Sequence, residues 1–426
     1  MFFYNFFIRI YRLGIRLASL KSAKAKAWIE GRKNWESQLK MQRRDGGRYV
    51  WFHCASVGEL EQARPLIDAI KVHYPAHLVA VSIFSPSVYL SAQKNRQLDL
   101  VTYLPLDTKK NAQAFIKILE PELVIFIKYE YWYHHLSAVR TAKIPLLLVS
   151  SIFRSKQIFF KFYGGFYRRM LSLYTAIFLQ DRDSQKLLHT LNLPHKEHKS
   201  TSEEAEPNTI IVAGDTRFDR VKEIAGAEAG LPLIENFCAN IVTVIAGSTW
   251  PDDEDLLARY QPDDGIKMII APHEINHEHI TQIQQKFNNS VLYSELQTQQ
   301  KTDGRVLVID NIGMLSRLYR FADVCYIGGG FNKSGIHNTL EAAVYGKPLI
   351  FGPHYQKFKE ARDLIRLKAA FSVTDRKQLD EVLSLLLNDV DVRNSAGSVA
   401  GSYVKDNTGA TARVLDYIQA NRLLTN

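Results

Sequence analysis

From Tyr49 onward, short continuous runs of aliphatic and β-branched residues alternate with longer stretches whose apolar positions recur at helical spacing. The first series is VWFHCAS (50–56), LVAVSIF (78–84), LVTYLP (100–105), ELVIFIK (122–128), PLLLVSS (145–151) and TAIFLQ (175–180). Continuous runs mark strands covered on both faces, and strand, helix, strand repetition makes the sheet parallel. A polar stretch around Glu203–Pro207 follows, and after IIVAGD (210–215) a loosely patterned segment over 220–239, which reads as a domain connection, precedes a second series. That series is IVTVIAGS (241–248), KMIIAP (267–272), RVLVID (305–310), DVCYIG (323–328) and KPLIFG (347–352). The pattern predicts an α/β protein of two doubly wound domains. Ligands of such sheets sit beyond the carboxyl ends of strands, so chemistry is expected in the loops after residues 56, 128, 248 and 328.

The first 20 residues follow another rule. On a wheel of about 100° per residue, Arg9, Arg12 and Arg16 share a stripe roughly 60° wide, while Phe2, Phe3, Phe6, Phe7, Ile8, Ile10, Leu13, Ile15 and Leu17 cover most of the rest. A spanning helix needs about 20 apolar residues and an arginine at the bilayer centre costs about 2.5–3.5 kcal/mol, so a simple span is disfavoured. The segment reads as an amphipathic helix lying in the membrane surface, with the arginines, Lys21, Lys24, Lys26, Arg32 and Lys33 meeting anionic head groups. Two readings stand beside it. One is a secretory signal with Ala23-Lys24-Ala25 as a cleavage-like site, whose apolar region the arginines interrupt; the other is a helix packed on its own domain.

Charge supports a local basic region. The net charge is +10, yet residues 1–50 hold twelve Lys/Arg against three Asp/Glu, leaving the rest close to neutral. A general nucleic-acid binder spreads its basic residues over its folded modules, so none is expected as a partner. Cys54, Cys238 and Cys325 lie far apart with no C-x-x-C spacing, which indicates neither a disulfide framework nor a cysteine zinc site.

Three segments can carry chemistry. In HCASVGELEQARPLI (53–67) a strand runs into a helix start bearing Glu59, which either complements the helix dipole or, facing a cleft, removes a proton from an acceptor hydroxyl. In IGGGFNKSGIHNTLEAAVYGKPLIFGP (327–353) the glycines permit close backbone approach, the following helix offers N–H groups to an anion, and Asn338 and Glu341 fall on one helical face, where a glutamate can accept from a ribose diol. In AGSTWPDDEDLL (246–257) Ser248 and Thr249 form a polar turn suited to phosphate oxygens, and Asp252, Asp253 and Glu254 read as an acidic first helical turn rather than metal ligands. Walker, G-x-S-x-G and H-E-x-x-H motifs are missing.

Together WFHCASVGE, KYEYW (128–132), GDTRFD (214–219), AGSTW with its acidic helix start and GGGFNKSGIHNTLEAAVYGKPLIFGPH resemble the Kdo transferase family, which moves 3-deoxy-D-manno-octulosonic acid (Kdo) from CMP-Kdo to a lipid A precursor in lipopolysaccharide biosynthesis. The resemblance implies the GT-B fold, two Rossmann-like domains facing a cleft: a membrane-associating segment over 1–45, an acceptor domain over 46–220 and a nucleotide-sugar domain over 240–426. It implies Glu59 as catalytic base; Arg217, Ser248, Thr249, His273, Gly329, Ser334, Gly335, Asn338 and Glu341 on the donor side; and Ser56, Gly58, Ser85, Glu130 and Trp132 on the acceptor side. It further implies an inverting, metal-independent transfer with no cofactor, CMP-Kdo being a substrate, at the cytoplasmic face of the inner membrane on its anionic lipid surface. The chain departs from the family pattern at Lys128 and Tyr133, at Met314 and at Ser150-Ser151-Ile152, with Arg154 near the position of a family arginine. Two alternatives remain open: another GT-B lipid-linked transferase using a UDP-sugar, and an inactive nucleotide-sugar-binding membrane protein.

Overall fold

The structure, a computed structural model, describes all residues except 94–96, 192, 194–208, 228–229, 261–264 and 299–303. The polar stretch at Glu203–Pro207 lies outside the described residues. The chain divides into two units, Met1–Arg220 with Gly409–Asn426, and Val221–Thr408.

The first unit holds strands β1 (Arg48–Cys54), β2 (His77–Ile83), β3 (Leu100–Tyr103), β4 (Pro121–Ile127), β5 (Leu146–Ser151), β6 (Ala176–Leu179) and β7 (Thr209–Val212). They form one parallel sheet in the order β3-β2-β1-β4-β5-β6-β7. The period-2 alternation of a strand assigns its faces. Val50, Phe52 and Cys54 join a core with Leu60, Leu66 and Ile70 of the helix Val57–His73, whereas Tyr49 and Trp51 join the opposite core with Phe115, Leu119 and Leu136. Both faces are buried, which is why the runs read as continuously apolar.

The second unit repeats the plan with β8 (Val242–Thr249), β9 (Ile266–Pro272), β10 (Ser290–Leu292), β11 (Val306–Val308), β12 (Val324–Ile327), β13 (Leu349–Phe351) and β14 (Ala370–Ser372), parallel in the order β10-β11-β9-β8-β12-β13-β14. The doubly wound α/β class expected from the pattern is therefore present twice. The pattern missed β10 and β14, three residues each; β11 and β13 are as short but sit in the longer apolar runs VLVI and PLIF, which made them legible.

Two boundaries differ from expectation. Residues 220–239 are not a plain connection: the helices Thr216–Gly226 and Pro232–Cys238 fill most of the segment, Ile234 and Phe237 are buried, and Arg320 donates to the carbonyls of Ala225 and Ala227. Residues 409–426, expected in the second domain, belong to the first. The helix Ala410–Ala420 inserts Val414, Leu415 and Ile418 into the core under β1, and Asp219 accepts from the Gly409 and Thr411 N–H groups at 2.6 and 2.7 Å.

The N-terminal helix, Phe2–Ala18, has three sectors. Tyr4, Ile8, Tyr11 and Ile15 are its only residues not exposed and fall within about 60° of one another on the wheel. On this face the Tyr4 hydroxyl donates to Asp107 and Tyr11 meets Trp28 edge-on, while Asn5 at its edge bonds His134 at 2.7 Å. Arg9, Arg12 and Arg16 flank it. The third sector, with Phe2, Phe3, Phe6, Phe7, Ile10, Leu13 and Leu17, is exposed. Packing on the domain and an apolar face turned outward are thus properties of different sides of one helix. Among the described residues, no helix is long and apolar enough to cross a membrane.

Candidate functional site

In the first sheet the order reverses between β1 and β4: the chain leaves β1 toward β2 and leaves β4 toward β5. The loops at their carboxyl ends therefore diverge and open a crevice. Glu59 stands there. Ser56 caps the helix Val57–His73, its Oγ accepting from the Glu59 N–H at 3.3 Å, and the Glu59 carboxylate turns back to accept from the Ala55 N–H at 2.5 Å. The residue is 8% exposed. Burial pushes its pKa above the ordinary value and the charge of Glu130 adds to the rise, against the pull of the Ala55 N–H, His53 and Lys128.

Glu130 is fixed from three sides. His53 reaches its Oε2 at 3.1 Å through Nε2 and bonds Ser82 at 2.8 Å through Nδ1; the Trp132 indole N–H donates to the same carboxylate; and the Tyr174 hydroxyl donates to the Glu130 carbonyl at 2.7 Å. The Ser85 N–H donates to the Ala55 carbonyl at 3.2 Å, and its neighbour Phe84 stacks on Trp132 with centroids 5.1 Å apart. A Cβ on Gly58 would meet no atom within 4 Å, so packing does not demand the glycine. Ser56, Gly58, Glu59, Ser85, Glu130 and Trp132 are thus gathered around the end of β1. His53 and Ser82 were not anticipated; their only signal is a pair of polar residues inside otherwise apolar strands. Beside them a cavity of about 580 Å³ runs from Glu130 and Trp132 to Met1, Phe3 and Phe7 of the N-terminal helix.

Arg217 also lies in the first unit. Its Nε and backbone N–H donate to Asp215 at 2.8 and 2.9 Å, and Gln62 donates to the same carboxylate at 3.0 Å. Burial works against the Asp215 charge, but Arg217 outweighs it and holds the pKa below the ordinary carboxylate value.

In the second sheet the order reverses between β8 and β12. The glycine loop after β12 is pressed onto β8: a Cβ on Gly328 would come within 2.2 Å of the Ser248 carbonyl oxygen, and Gly329 adopts φ 86°. Asp253 ties the loop in place. It is 1% exposed and accepts from the Gly329 N–H at 2.8 Å, the Tyr326 hydroxyl at 2.8 Å and the Trp250 N–H at 3.0 Å. Burial pushes its pKa up. Glu254 accepts from the Thr249 hydroxyl and bonds His279, each at 3.0 Å. Asp253 and Glu254 are therefore internal anchors and not merely an acidic helix start, and the Thr249 hydroxyl proton is committed to Glu254.

The rings of Trp250 and His273 stack 4.8 Å apart, His273 lies 4.4 Å from His337, and the Trp250 indole N–H donates to His337 Nε2 at 3.1 Å. Burial, then the neighbouring His273, pushes the His337 pKa down to about 4, so the ring stays neutral and can accept. Asn338 donates to Glu341 at 3.0 Å, which brings the expected pair together, though not on one helical face. The helix is only Leu340–Ala343, so Asn338 precedes it. Ser334 and Gly335 lie further upstream, and the Gly335 N–H is bonded to the Asn332 carbonyl at 3.0 Å; they are loop residues rather than a helix N-terminus.

Residues 32–220 match the family model described as 3-Deoxy-D-manno-octulosonic-acid transferase (kdotransferase). The chain carries a Kdo transferase family domain. It is similar to the 3-deoxy-D-manno-octulosonic acid transferase of Haemophilus influenzae, 23% identical over 87% of this chain and 86% of that one. The enzyme of the same name from Aquifex aeolicus is 22% identical over 84% of this chain and 92% of its own length. Among solved structures, the UDP-GlcNAc 2-epimerase of Neisseria meningitidis bound to UDP-GlcNAc aligns with a TM-score of 0.60 at 15% identity, over 87% of this chain and 99% of that one, a likeness of fold. The Kdo transferase domain match contains Glu59, Ser85, Glu130, Trp132 and Arg217, and ends before the glycine loop. Among the described residues, no group of three or more His, Cys, Asp or Glu side chains is placed to hold a metal ion.

Proposed function

We propose that the protein transfers Kdo from CMP-Kdo to a lipid A precursor, with inversion at the anomeric carbon, on the cytoplasmic face of the inner membrane. The observation that carries the reading is Glu59, a carboxylate made more basic by burial and by Glu130, with Glu130 itself lining a cavity whose other wall is the N-terminal helix with Phe3 and Phe7. A lipid acceptor needs that combination: an apolar wall for its chains and a base for its hydroxyl. Glu59 takes the hydroxyl proton, the freed oxygen bonds to the anomeric carbon, and the bond to CMP breaks with its electron pair leaving on the phosphate. Glu130, held by His53 and Trp132, orients the acceptor and keeps Glu59 basic.

On the donor side the ring stack of Trp250, His273 and His337 suits a nucleobase, Glu341 suits the ribose diol, and Ser248 and the glycine loop suit the departing phosphate. Thr249 supports this group through Glu254 in place of touching phosphate. One phosphate leaves, and its charge is met by these donors without a bridging cation.

The test is direct. Full-length protein is incubated with CMP-Kdo and a tetraacylated disaccharide acceptor, following CMP release and lipid mass. Addition of Kdo, slowed by roughly 10²–10⁴ with Glu59→Gln, supports the proposal. Turnover of a UDP-sugar but not CMP-Kdo would replace it with the rival transferase reading.

A further inference from the structure

A second cavity of about 530 Å³ lies on the opposite flank of the N-terminal helix, walled by Arg12 and Arg16 of that helix, Trp28, Arg32 and Lys33, and Lys110. Five cationic side chains line it and no carboxylate does. No ion pair among the described residues involves Arg12, Arg16, Lys33 or Lys110. Gathering like charges is unfavourable unless an anion joins them.

Two further observations point the same way. The helix Lys109–Leu119 begins at this cavity, and its first turn carries lysines and no acid, the reverse of what a helix N-terminus favours. A bound anion would correct it. Arg32 is stacked on Trp28 at 3.9 Å and spends its N–H groups on the carbonyls of Leu104, Phe84 and Trp28, so it contributes charge to the cavity rather than free donors. Burial pushes its pKa down to about 9, a sign of a charge short of compensation. The Trp28 indole N–H is buried without an acceptor.

The position on the helix selects the ligand. The arginine sector borders the exposed sector of Phe2, Phe6, Leu13 and Leu17, so an anion in the cavity sits where acyl chains can lie along the neighbouring face. The volume exceeds that of a lone phosphate and accepts a phosphorylated glycerol or sugar. We propose that this cavity is a binding site for the phosphomonoester head group of a membrane lipid, a discrete site distinct from diffuse attraction to an anionic surface. A phosphomonoester presents more charge and more free oxygens than a phosphodiester, which matches five cations better. The proposal does not rest on the transferase reading, and its test uses neither donor sugar nor turnover.

The test is flotation of the full chain with phosphatidylcholine vesicles carrying either phosphatidic acid or phosphatidylglycerol, adjusted to equal zeta potential. The parent is expected to bind the phosphatidic acid vesicles about tenfold more tightly. Lys33→Gln with Lys110→Gln removes two charges from the cavity wall and brings the ratio to about one. Lys24→Gln with Lys26→Gln removes two charges from the same module outside the cavity, so both vesicles are bound less tightly and the tenfold ratio persists. Melting temperatures equal to the parent's establish that both double variants fold. Equal binding of the two vesicles by the parent, or equal loss of preference in both double variants, overturns the proposal. So does saturation by soluble sn-glycerol 3-phosphate at the concentration that suffices for vesicle-borne lipid, which would assign the site to a free phosphate.

Discussion

Asp253 offers a sharp test of how the second unit holds its glycine loop. Asp253→Ala leaves the Gly329 N–H, the Tyr326 hydroxyl and the Trp250 N–H without their acceptor. A buried donor left unsatisfied costs about 1–3 kcal/mol, and three sharing one carboxylate are coupled, so the loss is about 3–5 kcal/mol in place of the simple sum. Asp253→Asn behaves differently. Its amide oxygen can keep both backbone N–H groups while its NH₂ turns to Tyr326, whose hydroxyl accepts as readily as it donates. What remains lost is charge assistance, about 1 kcal/mol, partly offset because burial makes the ionised carboxylate costly. The sign follows from the raised pKa: the ionised form costs stability as pH rises through it, and Asn removes that cost. Urea titration of the second unit with CMP calorimetry on both variants gives the readout: Ala weak on both counts, Asn near the parent on both. Equal destabilisation by Asn and Ala would refute the hydrogen-bond argument. Loss of a Mg²⁺-dependent activity in a fully stable Asn variant would instead make Asp253 a cation ligand.

Glu59→Gln should lower turnover by roughly 10²–10⁴ with CMP affinity retained, and parent activity should fall as pH drops through the raised Glu59 pKa; a parent-like rate in the variant would end the base assignment. Glu341→Ala should weaken CMP binding by about 1.5–3 kcal/mol, measured by calorimetry, and an unchanged affinity would leave Glu341 a structural role such as its bond to Asn338. Activity should persist in excess EDTA, whereas loss restored by Mg²⁺ or Mn²⁺ would bring a metal into the mechanism. The two sides of the N-terminal helix should separate: Phe6→Ser with Leu13→Ser should release the protein from vesicles and change stability by less than about 0.5 kcal/mol, while Ile8→Ala should cost about 2–4 kcal/mol. Equal melting shifts for the two would contradict the sector assignment.

The alternation of buried strands with amphipathic helices determined both doubly wound units, because a strand covered on two faces cannot avoid a continuous apolar run. It also located the loops after β1, β4, β8 and β12, since a parallel strand needs a crossover and the crossover fixes which end carries the loop. Glu59 was legible for that reason, whereas Glu130 and Trp132 were reached only through the family resemblance of KYEYW. Strands β10 and β14 were not legible, because neither sits in an apolar run as long as VLVI and PLIF at the equally short β11 and β13. The same holds for His53 and Ser82: one polar residue in a strand says nothing of its partner on another strand, and only sheet register brings His53 between Ser82 and Glu130. Composition could not tell Asp253 and Glu254 from a solvated helix start, because the decision lies with the loop folded over them. Nor could it divide the N-terminal helix, whose wheel shows one broad apolar face. Contact with Asp107, His134 and Trp28 claims the side bearing Tyr4, Ile8 and Tyr11 and leaves the phenylalanine side exposed. Local sequence sets periodicity and strand ends, whereas the pairing of residues distant in the chain exists only once the sheets have closed their register.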